Sequence, residues 1–100
     1  MHYCVQWSDQ ASDDVLEWSD YVARQTSKRY ADELVQRLEQ EARKALAWSP
    51  QGYSPAPEWG EGVRRLPCLG RRILFEVDEA QHVVRILAVV GGAENPRDVR

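Results

Sequence analysis

The residues in this chain best suited to chemistry are arginines. Arg64, Arg65, Arg71 and Arg72 fall within nine residues, and no acid lies between Gly62 and Phe75. Arg85, Arg97 and Arg100 follow, and eleven of the thirteen basic residues are arginine. A guanidinium presents a planar fork of donors that matches phosphate and carboxylate. The cluster therefore points to an anionic partner. The plainer reading is that these side chains are solvated or pair with acids from elsewhere in the chain, and material for that exists. Residues 1–61 hold eleven acids against six bases, and residues 62–100 hold seven bases against five acids. The formal net charge of -3 argues against a general nucleic-acid binder, so any anion site must be local.

Other chemistries have less to work with. Cys4 and Cys68 are the two cysteines, and two buried thiols are a plainer reading than a bridge. There is no CxxC and no HExxH, and His2 and His82 are the only histidines, so neither a metal nor another cofactor is expected. No glycine-rich phosphate loop follows a strand and there is no GxSxG elbow. Gly60-Glu61-Gly62 and Gly91-Gly92 read as turns. No apolar run approaches the roughly 18 residues of a membrane span. The start of the chain has no basic segment followed by an apolar one, so a cytoplasmic location is expected.

The elements that must position the arginines follow from periodicity. Tyr3, Val5 and Trp7 alternate with Cys4 and Gln6, which predicts a strand over about residues 2–7. Ser8 or Asp9 can cap a helix whose stripe is Ala11, Val15, Trp18 and Val22, widened by Leu16 and Tyr21. Asp13, Asp14 and Glu17 near its start suit the helix dipole. Thr26 or Ser27 caps a second helix over about 27–47. Its face carries Tyr30, Leu34, Leu38, Ala42 and Ala45, with Ala31, Val35 and Leu46 alongside. Three or four residues between the two helices force an antiparallel hairpin.

From Trp48 to Gly60 the chain holds Pro50, Pro55, Pro57, Gly52 and Gly60 and reads as a connector. Trp48, Tyr53 and Trp59 either pin it to the body or offer aromatic contacts to a partner. Strands are expected at Val63–Pro67, Arg72–Val77 and Val83–Val90, with turns at Cys68-Leu69-Gly70 and Asp78–Gln81. The nearly all-apolar last strand belongs in the middle of a sheet. The tail, Ala93 to Arg100, either extends as a short strand or hangs free. Residues 1–100 thus predict one α+β domain in two layers, ordered β-α-α-β-β-β. A helical hairpin packs on a mostly antiparallel sheet whose other face is partly open.

Three stretches carry a family resemblance. Trp7-Ser8-Asp9-Gln10-Ala11-Ser12-Asp13-Asp14-Val15 resembles an opening written as Trp-Ser, two residues, Ala, two residues, Asp, Leu. Gly62-Val63-Arg64-Arg65-Leu66 with Arg72–Val77 resembles the second and third strands of the same family, and Val84–Gly92 resembles its last. The family is the RelE/ParE toxins of bacterial type II toxin–antitoxin pairs. Resemblance implies a toxin neutralised by a cognate antitoxin wrapped over its surface. It also implies one of two activities: ribosome-dependent mRNA cleavage, as in RelE-like members, or inhibition of DNA gyrase without nuclease chemistry, as in ParE-like members.

Cleavage needs proton transfer and cationic groups over the phosphate. Arg65 and Arg72 on paired strands, joined by Arg85, suit the cationic role. The resemblance places a Gly-Lys-Arg-Glu type motif, or a histidine, at the end of the last strand, and a tyrosine near the C-terminus. Here Gly91-Gly92-Ala93-Glu94 and Arg100 stand at those positions, His2 and His82 lie elsewhere, and Glu61 is in a loop. The sequence therefore favours the gyrase-directed, non-catalytic reading. Arg64, Arg65, Arg71, Arg72, Arg85, Arg97 and Arg100 are its candidate contacts to target or antitoxin. The ribosome and mRNA remain the alternative target, and a non-catalytic protein-binding module of the same fold is the third reading.

Overall fold

The computed structural model describes residues 2–91. The elements run β1 (Cys4–Trp7), α1 (Asp9–Gln25), α2 (Lys28–Trp48), β2 (Arg64–Cys68), β3 (Arg71–Asp78) and β4 (Val83–Gly91), with 3-10 turns at Pro50–Gly52 and Pro57–Trp59. The sheet order is β1-β4-β3-β2. β1 runs parallel to β4, and the other pairings are antiparallel. The helical hairpin covers one face, so the predicted α+β, two-layer arrangement is the one observed. The apolar β4 is an interior strand, as its composition requires. The tail from Ala93 to Arg100 lies outside the described residues.

A single irregularity lets β4 serve both faces. Leu74 pairs with Ala88 and Phe75 with Ile86, which leaves Leu87 unmatched in a bulge. Before it, Val84 and Ile86 face the helices with Phe75; beyond it, Val89 faces them with Ile73. Val90 instead joins Leu74, Val63 and Ala56 on the opposite face, with Ala88 and Trp59 packed against them. The nearly all-apolar run of β4 is thus divided between two buried clusters, one on each face.

The helices bury narrower stripes than the sequence predicts. On α1, Ala11 and Val15 are buried, whereas Leu16 and Tyr21 are 62% and 56% exposed. On α2 the buried line is Ala31, Leu38, Ala42 and Leu46, and Tyr30, in the first turn beside the helix corner, points outward. Only Thr26 and Ser27 separate the helices, fewer than expected, and Ser27 caps α2 by accepting from the Tyr30 N–H.

β2 continues through Pro67 rather than ending there. The Arg65 N–H points away from β3, to the Ser54 carbonyl (2.9 Å). Pro67, two residues along, shares that outward orientation, so its missing N–H costs no bond to β3. The same connector donates the Ala56 N–H to Val63 (2.7 Å) and so covers the outer edge of β2. Leu69 and Gly70 turn the chain into β3, both at positive φ, as a two-residue hairpin demands. Cys68 is buried and Cys4 is exposed on the opposite edge strand, so the expected pair of buried thiols is half right and no bridge joins them.

The bond from the Val89 N–H to Asp14 Oδ2 (2.9 Å) joins α1 to β4 at a point where β4 has no strand beside it on that edge. Asp14→Ala leaves that partly buried donor unmatched. It should destabilise the fold by about 1–3 kcal/mol in urea unfolding and speed amide exchange at Val89. Asp14→Asn keeps an acceptor and should lose less.

Candidate functional site

The five described arginines of the candidate set divide between the two faces of the sheet. Arg65 stands opposite Leu74, Arg72 opposite Pro67 and Val90, and Arg85 opposite Glu76, which puts these three on the face away from the helices. Arg64 pairs with Phe75 and Arg71 with Cys68, so these two lie on the helix-facing side. Four arginines within nine residues therefore do not make one patch, because strand alternation sends neighbours to opposite faces. Arg97 and Arg100 lie outside the described residues, as do Gly92, Ala93 and Glu94.

On the open face, Arg65 and Arg72 are diagonal neighbours across β2 and β3, the spacing at which long side chains meet a common ligand. Arg85 is farther along. Glu76, its register partner, is four positions from Arg72, roughly 13 Å at strand rise. Each guanidinium has a partner in the chain: Arg65 with Glu58 (3.6 Å), Arg85 with Glu76 (3.2 Å), and Arg72 with the Gly91 carbonyl (3.3 Å). Glu58 and Glu76 are acids that sequence inspection passed over. Register arithmetic could have found Glu76, but Glu58 arrives through the connector. Both ion pairs are half-exposed and worth about 0–1 kcal/mol, so an incoming anion can replace them at little cost. Arg85 also borders a depression of about 390 Å³ lined by Glu76, Asp78 and Glu79, an acidic setting that disfavours phosphate. Arg65 with Arg72 is the better anion site.

The helix-side pair is differently placed. Arg64 donates to the Tyr53 carbonyl (2.7 Å) and so fastens the connector. Arg71 lies 5.6 Å from the centre of the Trp18 ring, a cation–π contact between β3 and α1.

The connector aromatics also separate. Tyr53 meets Phe75 edge-on (centroids 6.3 Å apart) against the main core, and Trp59 packs on the smaller cluster of the other face. Both pin the connector. Trp48 does not: it is 62% exposed at the end of α2, with the His2 ring against it.

Two further titratable rings, His82 and Tyr3, meet at the β3–β4 turn. His82 lies in the β3–β4 turn at φ 59°, and Tyr3 stacks on it with centroids 3.9 Å apart. Tyr3 donates to Glu79 (2.9 Å), and Gln51 donates to both Tyr3 and Glu79. This clasp ties the turn to the start of β1 and to the connector. Burial, and then the nearby Glu41 carboxylate, push the Cys68 thiol above its ordinary pKa, which makes it a poor nucleophile. Among the described residues no cluster of His, Cys, Asp and Glu is suited to a metal, and no helix is long and apolar enough to cross a membrane.

Comparison with known proteins finds a family model, the ParE toxin of the parDE type II toxin–antitoxin system, matching residues 5–96. No curated protein matches the chain. Among solved structures, a chain of the chromosomal ParDE toxin–antitoxin system from P. aeruginosa superposes with a TM-score of 0.76 at 20% identity, covering 89% of this chain and 95% of that one. A chain of the RelBE2 toxin–antitoxin complex from Mycobacterium tuberculosis gives 0.63, also at 20% identity, covering 94% and 95%. At that identity the likeness is one of fold.

Hydrogen bonds from Gln51 and Tyr3 hold the Glu79 carboxyl below the ordinary glutamate range. A depressed folded-state pKa adds stability above the unfolded value, about pH 4.3, and that stability is lost as pH falls through the folded value. Glu79→Gln should therefore flatten part of the acid limb of a thermal-unfolding pH series and leave the limb above pH 6 unchanged.

Proposed function

We propose a gyrase-directed toxin from one premise: the chain belongs to the ParE toxin family of type II toxin–antitoxin systems. In this reading its harm comes from binding DNA gyrase, and a cognate antitoxin neutralises it. The observation that carries the reading is the make-up of the open sheet face. Arg65 and Arg72 are diagonal neighbours there, Arg65 against a half-exposed Glu58 that an incoming anion can replace, while the His82 ring is held in the β3–β4 turn by Tyr3. That is a surface suited to gripping acidic groups on a macromolecule.

Ribosome-dependent mRNA cleavage is the second reading, and the same two arginines favour it as cations over a scissile phosphate. Cleavage also asks for a proton donor and acceptor within about 2.6–3.2 Å of the reacting oxygens, each worth about 10²–10⁴ in rate. The stacked His82 and the raised Cys68 thiol are poor candidates for either task. One domain over residues 1–100, without cofactor, suffices for the binding reading.

Side-by-side assays separate the two. The purified chain should inhibit supercoiling by gyrase and leave ribosome-bound mRNA uncut. Arg65→Ala with Arg72→Ala should weaken the inhibition by tenfold or more, on the scale of about 1.5–3 kcal/mol for hydrogen bonds to charged groups. Ribosome-dependent cuts that vanish in the double variant, with supercoiling unaffected by the wild type, would replace this reading with the nuclease.

A further inference from the structure

Among the described residues, one stretch of sheet edge is left without hydrogen-bond partners. The connector bonds to the outer edge of β2, and α1 takes over the edge of β4 beyond β1. On β1, Cys4 and Ser8 donate their N–H groups to His82 (3.0 Å) and Ile86 (2.9 Å) on the β4 side. Alternation therefore turns the N–H and C=O of Val5 and Trp7 to the opposite edge. Tyr3 shares that orientation, and its N–H is taken by the Ala47 carbonyl at the end of α2 (2.8 Å). Val5 and Trp7 have no such partner among the described residues. Proteins usually guard an open edge with a charge, a proline or a bulge. Cys4-Val5-Gln6-Trp7 has no charge and no proline, and its register is unbroken.

We infer that this edge is a self-association surface, on which β1 pairs antiparallel with β1 of a second copy of the chain about a two-fold axis at Gln6. The inference does not depend on the toxin reading.

The orphan groups select that register. With Gln6 opposite Gln6, Val5 stands opposite Trp7 of the second copy, and Trp7 opposite its Val5. Both are hydrogen-bonded pairs, so every outward group of Val5 and Trp7 finds a partner. A slide in one direction sets Trp7 against Tyr3, whose N–H Ala47 already holds. A slide in the other sets Val5 against Asp9, which is already in α1.

Charge on the flanks favours a second copy as the occupant. Antiparallel pairing brings the Tyr3 end of one β1 beside the Asp9 end of the other. α2 finishes at the first end, with Arg43, Lys44 and the exposed Trp48 in its last turns. α1 starts at the second end, with Asp9 and Asp13. Basic and acidic ends thus meet twice across the axis, as an isologous contact requires. The sheet order β1-β4-β3-β2 puts Arg65 on the far edge strand, so pairing through β1 leaves the Arg65–Arg72 pair uncovered.

The side chains supply a probe of the register. Tyr3, Val5 and Trp7 pack on the helix-side core, so Cys4 and Gln6 project from the other face. Gln6 opposite Gln6 is a non-hydrogen-bonded pair with Cα atoms about 4.5 Å apart, within the reach of a disulfide. Cys4 stands opposite Ser8 and has no thiol to meet.

The test is sedimentation velocity of the full chain from about 10 µM to about 1 mM, a range suited to a small interface, with amide exchange on the same samples. Monomer should pass to dimer as concentration rises. The Val5 and Trp7 amides should slow in step, while the Gln6 amide, already bonded to β4, should change little. Gln6→Lys sets like charges together at the axis and should raise the dimer dissociation constant about fivefold or more, with the unfolding midpoint of the dilute chain unchanged. Gln6→Cys in a Cys4→Ser background should form a disulfide-linked dimer with diamide, and the wild-type chain should not. A chain that stays monomeric across the range, with Val5 and Trp7 exchanging at constant rates, overturns the proposal. So does a dimer that ignores Gln6→Lys and is not linked through Gln6→Cys, because its contact lies elsewhere. Val5 and Trp7 amides that slow only when purified antitoxin is added would give the edge to that protein and overturn self-pairing.

Discussion

β4 runs five residues past the last point at which β1 flanks it, and the backbone groups on that edge have to be paired by something other than a strand. α1 supplies the partners. Ser8 donates its N–H to Ile86 (2.9 Å) and its hydroxyl to the Leu87 carbonyl (3.0 Å), while the same oxygen accepts from Ala11 and caps the helix. Asp14 takes the Val89 N–H two turns later. These bonds seat α1 along the sheet at the bulge, where β4 changes the faces its side chains serve. The position of Trp18 over Arg71 follows, because Trp18 is one turn on from Asp14 and Arg71 pairs with Gly91 at the end of β4. The open face depends on the same seam, since the bulge sends Ala88 and Val90 to the far side to support Leu74 and the connector.

This gives a physical meaning to the opening motif. Trp7 packs against the core, Ser8 caps α1 and binds β4, Ala11 is fully buried where helix and sheet approach closely, and Asp14 closes the edge. None of these needs to touch a target. The motif records how the first helix is attached to the last strand, so it identifies the fold more directly than the activity. A likeness at 20% identity to chains from both a ParDE and a RelBE complex fits that division.

Much of the fold was legible from periodicity and caps, because alternation, helical stripes and Ser caps are local. The element order, the interior place of β4 and the antiparallel helical hairpin all followed. What was not legible depends on contacts distant along the chain. Asp14 read as a helix-dipole acid, and only the edge of β4 reveals its bond to Val89. Leu16, Tyr21 and Tyr30 continued apolar stripes by spacing, yet the packed helices and sheet leave them exposed. The surface that each arginine of the cluster presents was not legible, because sequence distance ignores the two faces of a strand. Pro67 looked like a strand end, and its outward orientation against the connector explains why it is not.

If gyrase is gripped as proposed, the Arg65–Arg72 face meets it and the helical layer is turned away. Arginine-directed chemical labelling followed by peptide mass spectrometry, with and without gyrase, reads this residue by residue. Gyrase should shield Arg65 and Arg72 from the reagent while Arg29 and Arg43 on α2 label as before. Shielding of Arg29 and Arg43 with Arg65 and Arg72 unchanged would contradict it.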